Sequence, residues 1–206
     1  MSIEELFKKR KQIKLYDVNN TPDKALIESL IDKTFDLVPS KQSLIPYKIY
    51  ILGPDCSKLK EIFFEISKSN TGGGQNYNIK APYVLLFTRR LITNPNDAVK
   101  RKIKLGDNYI GCDPKKYHLN DKDASIEIGM FSKILTALCL ENNIDTSYLL
   151  CFPPKNENEN WKKLSFIEDE VLFSMQLGYK SKLFVYDRHI EETKPNKNEI
   201  ITWIKG

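Results

Sequence analysis

One stretch, DASIEIGMFSKILTALCLENNI at residues 123–144, limits the possible folds more than any other. At 3.6 residues per turn it predicts a helix from Ala124 to Asn143. In that helix Ile126, Met130, Phe131, Ile134, Leu135, Leu138 and Cys139 cover well over one face. Gly129 and Ala137 add small side chains that permit close approach. A helix this apolar belongs at the centre of a core or in a subunit interface, because a small monomer cannot cover so many faces.

The remaining elements are read around it. Ser2 and Glu5 form a capping box for a first helix that runs to about Lys9. Thr21 is the expected N-cap of a second helix, with Pro22 as its first residue and Pro39 beyond its end. Its apolar stripe is Leu26, Ile27, Leu30, Ile31, Thr34 and Phe35. KIYIL reads as a strand, and Gly53-Pro54-Asp55 turns into a third helix with Leu59, Ile62, Phe63 and Ile66 inward. APYVLLFT, SYLLCF and LFSMQLGY read as further strands. Residues 90–123 are polar and irregular, a lid or insertion with a short helix near Asp97 to Lys102, and the tail KPNKNEIITWIKG ends in a short helix or extended arm. This order gives an α+β protein, one domain over 1–206, with helices against a mixed or antiparallel sheet.

Composition narrows the function. The 206 residues are 41% hydrophobic, enough for a sizeable core, and the net charge of +5 is too mild for a dedicated nucleic-acid binder. Cys56, Cys112, Cys139 and Cys151 include no C-x-x-C pair, and only His118 and His189 are available beside them, so no metal site is expected. The cysteines read as reduced, in a cytoplasmic protein. The start lacks the apolar run of a signal peptide, and no stretch is apolar for long enough to span a bilayer. Three consecutive glycines in SNTGGGQNYNIK are not followed by the lysine and hydroxyl of a P-loop. Asp187, His189 and Glu191 lie on one side of an extended DRHIEE segment, which reads more readily as a solvated strand edge than as a metal or acid–base site.

The stretch KKRKQIKLY packs Lys8, Lys9, Arg10, Lys11 and Lys14 into seven positions. It can be a nucleic-acid-binding tail, a solvated helix end or the wall of an anion pocket. The first lacks interleaved stacking aromatics. The second is favourable for Lys8, Lys9 and Arg10, because cations meet the negative end of the first helix's dipole.

Five segments, in order, resemble the nitroreductase family of FMN-dependent NAD(P)H oxidoreductases. RKQIKLY looks like its opening motif, and VPSKQSLIPY like its Pro-Ser-x-x-Asn-x-Gln-Pro-Trp loop. APYVLLF is similar to its second strand, ASIEIGMFSKILTALCLENNIDTSYLL to its long central helix and following turn, and KPNKNEIITWI to its closing segment. The sequence departs from the loop at Ser43, Ile45 and Tyr47, where the family commonly has Asn, Gln and Trp. It also has LLCFPPKNENENW where the family often has a Pro-x-Glu-Gly turn whose backbone N–H faces flavin N5.

The resemblance implies a nitroreductase-like α+β fold, with a mostly antiparallel sheet flanked by helices and the long central helix at a homodimer interface. It implies FMN as cofactor, held at the phosphate by Arg10, Lys11 and Gln12, with Lys14 toward the ring edge and Lys194 or Lys197 closing the phosphate site. Pro39, Ser40 and Ser43 would reach the flavin from the partner subunit. Hydride would pass from NAD(P)H through flavin N5 to a nitroaromatic, quinone or similar acceptor. No catalytic side chain is implied, since the flavin carries the chemistry, and neither nucleic acid nor membrane is an implied partner. The alternative is a non-enzymatic flavin- or nucleotide-binding protein of the same fold.

Overall fold

The computed structural model describes residues 2–68, 75–183, 195, 197–202 and 204. The glycine run at 72–74 and the Asp187, His189, Glu191 and Lys194 positions lie outside the described residues. Among the described residues the sheet has four strands, β1 (Tyr47–Leu52), β2 (Tyr83–Arg89), β3 (Asp145–Leu149) and β4 (Val171–Gly178), in the order β1-β2-β4-β3. Every pairing is antiparallel, which resolves the mixed-or-antiparallel alternative. The helices are α1 (Ile3–Lys8), α2 (Lys24–Leu37), α3 (Ser57–Lys68), α4 (Asp97–Lys104), α5 (Asp121–Glu141) and the short α6 (Lys197–Ile200).

The unbroken apolar run of β2 follows from its place in the middle of three layers. Leu85 and Phe87 face one core with Ile27 and Leu30 of α2 and Ile128, Phe131 and Leu135 of α5. Val84 and Leu86 face a second core with Phe63, Phe64 and Ile66 of α3, together with Ile79, Trp161 and Leu164. A strand buried on both faces has no polar face to alternate with. The central helix is thus a sheet-packing helix, although Ile126 stays half exposed and Met130 only half buried.

Boundaries differ from expectation where local chemistry intervenes. Asp23, not Thr21, caps α2, its carboxylate accepting from Ala25 N at 2.6 Å. Helix α5 begins at Asp121 and stops before Asn143, which takes φ +57. Strand β3 ends at Leu149. Beyond it, Phe152 turns to stack on Phe63 at 4.7 Å, and Pro153 and Pro154 have no N–H to extend the ladder.

The segment after α1 is seated by Tyr16. Asp17 N donates to Tyr179 O at 2.8 Å and Ser181 N to Leu15 O at 3.0 Å, which lays residues 15–17 antiparallel to 179–181. The buried Tyr16 hydroxyl donates toward Ser147 Oγ (3.0 Å) and Gln176 O (3.1 Å). Asn78, Ser147, Gln176 and Ser174 continue this network inside the second core. Gly178 makes the seat possible, because a Cβ there would meet Pro82 Cδ at 2.6 Å and Tyr16 Cδ1 at 2.9 Å. Burial drives the Tyr16 phenol pKa well above its ordinary value, so the group stays a neutral donor. Lys60 of α3 is 5% exposed and donates to the Ala81 and Pro82 carbonyls at 2.7 and 2.6 Å, which joins α3 to the start of β2.

Two stability measurements follow. Tyr16→Phe removes the hydroxyl but keeps the ring, and urea titration should show a loss of about 1–3 kcal/mol. An unchanged midpoint would mean that the network does not hold the segment. The second concerns Lys60, whose pKa burial lowers from 10.5 to about 8. Below about pH 8 the lysine is protonated folded and unfolded, and the buried charge is a penalty. Between there and 10.5 the unfolded chain binds the extra proton, so folded stability rises with pH. Relative to Lys60→Met, the wild type should gain up to about 3 kcal/mol over that window. A pH-independent difference between pH 7 and 9.5 would contradict it.

Candidate functional site

The basic stretch is divided by the fold. Lys8 pairs with Glu4 at 2.8 Å in the open, as a helix-end lysine should. Beyond α1 the chain is extended, and Ile13 and Tyr16 are buried in the second core while Lys11 and Lys14 are exposed. Gln12 is committed to the sheet: its amide nitrogen donates to Tyr148 O at 2.7 Å, and its amide oxygen accepts from Tyr148 N at 3.3 Å. It thus pairs with the free edge of β3 as another strand would. Arg10 lies over the Tyr148 ring, with Cζ 5.7 Å from the centroid, and its Nη1 is buried with no hydrogen-bond partner. A guanidinium donor buried without an acceptor costs free energy until an anion meets it. The site's fit to a phosphate rests on that unmet N–H. Lys197 lies on α6, and Lys194 is outside the described residues.

The loop with Pro39, Ser40 and Ser43 forms a second constellation. Gln42, Ser43 and Ile45 take positive φ values of 56°, 56° and 46°. Such backbone is costly for non-glycine residues, most of all for a β-branched isoleucine. Outside contacts hold it in place. Arg90 donates through Nε to Ile45 O (2.9 Å) and through Nη2 to Leu44 O (2.5 Å), and Asn96 Nδ2 donates to Gln42 O (2.7 Å). Ser40 Oγ accepts from Ile45 N at 2.8 Å, and Lys41 N donates to Glu127 Oε1 at 2.9 Å. Arg89 meanwhile fixes the start of α5 against β2, through a fork on Asp169 and a further bond to Asp121. Arg90 and Glu127 do not stand out in the sequence as site residues, whereas Tyr47 stands at the Trp position of the loop motif. The Tyr47 hydroxyl is buried without a partner, and its pKa is pushed up to about 12 by burial, with Glu127 adding to the effect.

Beside this loop is a cavity of about 420 Å³, between Lys41, Leu44, Pro46, the 107–111 segment and the first turns of α5. The loop after β3 is also tied down. Trp161 Nε1 donates to Pro153 O (3.1 Å), Phe152 N to Leu150 O (3.0 Å), and Lys155 N to both carboxylate oxygens of Glu170 (3.1 Å). In the LLCFPPKNENENW segment, where the resemblance puts a backbone N–H toward flavin N5, the N–H groups of Phe152 and Lys155 are therefore engaged.

The two constellations do not meet within one chain. Lys41 is bound to Glu127, whereas Arg10 lies over Tyr148, whose hydroxyl bonds Thr136. Nine residues of α5 separate Glu127 from Thr136. That is about 13 Å of rise and roughly half a turn of net rotation, which puts them on opposite flanks of the helix. Among the described residues, no group of three or more His, Cys, Asp and Glu side chains is placed to hold a metal ion.

No protein-family profile matches the sequence, and no curated protein is significantly similar to it. Solved structures do share its architecture. One, described as a nitroreductase from Bacillus subtilis, is 16% identical over 98% of both chains with a TM-score of 0.63. Another, described as a nitroreductase and solved in complex with FMN, comes from Exiguobacterium sibiricum. It is 14% identical, with a TM-score of 0.70 over 99% of this chain and 98% of that one. A third, described as an NAD(P)H:FMN oxidoreductase from Staphylococcus epidermidis, is 14% identical over 95% of both chains with a TM-score of 0.64. Across its described residues, the chain carries the fold of the nitroreductase family.

Proposed function

We propose that this chain is an FMN-dependent oxidoreductase that works as a homodimer with two shared sites. The observation that carries the reading is the buried, unpartnered N–H of Arg10, in the segment that resembles the family's phosphate-gripping motif. Bound FMN would supply the redox chemistry, taking hydride from NAD(P)H at N5 and handing electrons to a nitroaromatic, quinone or similar acceptor. Arg10 and Lys11 would hold the phosphate, and exposed Lys14 would reach the ring edge. Gln12 would act by pinning the segment to β3. Pro39, Ser40 and Ser43 would come from the partner, and Lys194 and Lys197 would close the phosphate end. Residues 90–123 act in this reading as a lid on a single domain. We place the protein in the cytoplasm; no described helix is long and apolar enough to cross a membrane.

Two features support the shared site. The Arg10 and Ser40 constellations lie on opposite flanks of α5, an arrangement that suits a site taking one of them from each chain. The outer face of α5 is also open around Ile126, Gly129, Met130 and Lys133: a Cβ built on Gly129 meets nothing within 4 Å. A second reading, a flavin-binding protein without turnover, is favoured by the engaged N–H groups of Phe152 and Lys155. Purified protein reconstituted with FMN, then mixed with NAD(P)H without air, separates the two. An enzyme bleaches the flavin spectrum, and a store leaves it yellow.

Two variants test the site. Arg10→Ala should weaken FMN binding about ten- to a hundredfold by fluorescence quenching, with Lys8→Ala near wild type. Equal losses in both would point to diffuse electrostatics. Gly129→Arg has room in the monomer, so it should leave the fold intact but shift light scattering from a dimer to a 23.9 kDa particle. Wild type already at 23.9 kDa in dilute solution would overturn the shared site.

A further inference from the structure

The cavity beside the 39–46 loop contains a group that the flavin reading does not use. Glu127 is 3% exposed. Its Oε1 accepts the Lys41 N–H, but its Oε2 is buried with no hydrogen-bond partner, and among the described residues no cation pairs with it. A buried carboxyl oxygen with no donor is a standing cost, and such groups are normally met by protein, water or ligand. Glu127 lines both the 420 Å³ cavity and a second hollow of about 410 Å³ bounded by Pro39, Ile126 and Met130, so the two flank one carboxyl group.

The rest of the lining mixes apolar and polar side chains, with an acidic balance. Leu44, Pro46, Ile92 and Ile110 give apolar walls wide enough for a ring. Asp107 is exposed at the rim with no ion pair among the described residues, and the cavity's one cation, Lys41, is engaged with Asp123 at 3.5 Å. Asn120, at the N-cap position of α5 without capping it, also lines the cavity, its amide nitrogen against Gly111. The site thus offers apolar walls and a surplus of acceptors. Its side-chain charges are three carboxylates, Asp107, Asp123 and Glu127, against the one ammonium of Lys41.

We propose that this cavity binds a small ring compound carrying a cationic N–H donor group, an amidinium or protonated amine, with Glu127 Oε2 as the anchoring acceptor and Asp107 as the charge at the rim. Anionic rings of the same size are rejected, because Asp107 would oppose their charge and Glu127 would still lack a donor. Its contacts do not involve Arg10 or the segment around it, although the loop that bounds the cavity is the one that the flavin reading sends to the partner's site.

The test uses benzamidine and benzoate as probes of equal shape and opposite charge, on the full-length chain without added flavin. Isothermal titration should show saturable benzamidine binding and none for benzoate. Glu127→Gln should weaken benzamidine about tenfold or more. Asp107→Asn, at an exposed position where folding is not at stake, should weaken it by a smaller factor that shrinks in high salt. Benzoate binding as well as benzamidine, no saturable benzamidine binding up to millimolar concentration, or equal affinity in wild type and both variants would each overturn the proposal. Loss of flavin binding in the Arg10 variant has no bearing on any of these outcomes.

Discussion

The hydroxyl of Tyr16 is the constraint on which the placement of the candidate site depends. It is the one polar group that the N-terminal segment sends into the second core, and it lands on Ser147 and Gln176, residues of the two strands β3 and β4. Buried hydrogen bonds of this kind add modest net stability but specify position strongly, because a misplaced partner leaves several groups unsatisfied together. With Tyr16 fixed and Gly178 leaving room for its ring, Ile13 falls into the core, Gln12 onto the β3 edge and Arg10 over Tyr148. The order of side chains between α1 and Tyr16 is therefore set from its C-terminal end.

Adjacent arginines at the end of β2 organise the other constellation in different ways. Arg89 is forked onto a carboxylate: burial works against charge on Asp169, but the Arg89 hydrogen bonds prevail and hold its pKa below the usual carboxylate range. Arg90 instead donates to the main-chain carbonyls of Leu44 and Ile45 and, together with Asn96 on Gln42, holds a loop whose left-handed residues would not keep that conformation alone. Successive residues at a strand end point to opposite sides. One arginine can thus anchor the helix while its neighbour anchors the loop.

Much of this architecture was legible in the sequence, and what was not has physical reasons. Capping chemistry showed α1, and continuous hydrophobicity showed β2, because each signal is local. The long helix was legible as central, since its apolar residues outnumber those that one face can use. The role of Gln12 was not, because a glutamine that caps a strand edge has the composition of a solvated one, and its partner Tyr148 lies far away in sequence. Arg90 and Glu127 stayed hidden for the same reason. Their importance comes from the carbonyls and cavities that the fold brings to them, and neither belongs to a local pattern. The positive φ angles at Gln42, Ser43 and Ile45 could not be read either, since no glycine marks them.

The pairing of Gln12 with Tyr148 has a consequence for the behaviour of the chain in crowded solution. Among the described residues β3 is the outer strand of the sheet, and an outer strand presents main-chain donors and acceptors to any passing chain. Here a side-chain amide occupies the donor–acceptor pair of Tyr148, next to the end of that strand, and a bulky guanidinium lies over the same residue's ring. The segment that carries the candidate phosphate ligand thus also blunts a sheet edge. A chain clipped ahead of Ile13 would lose more than a binding residue: it would expose a template for edge-to-edge association, and self-assembly would compete with folding.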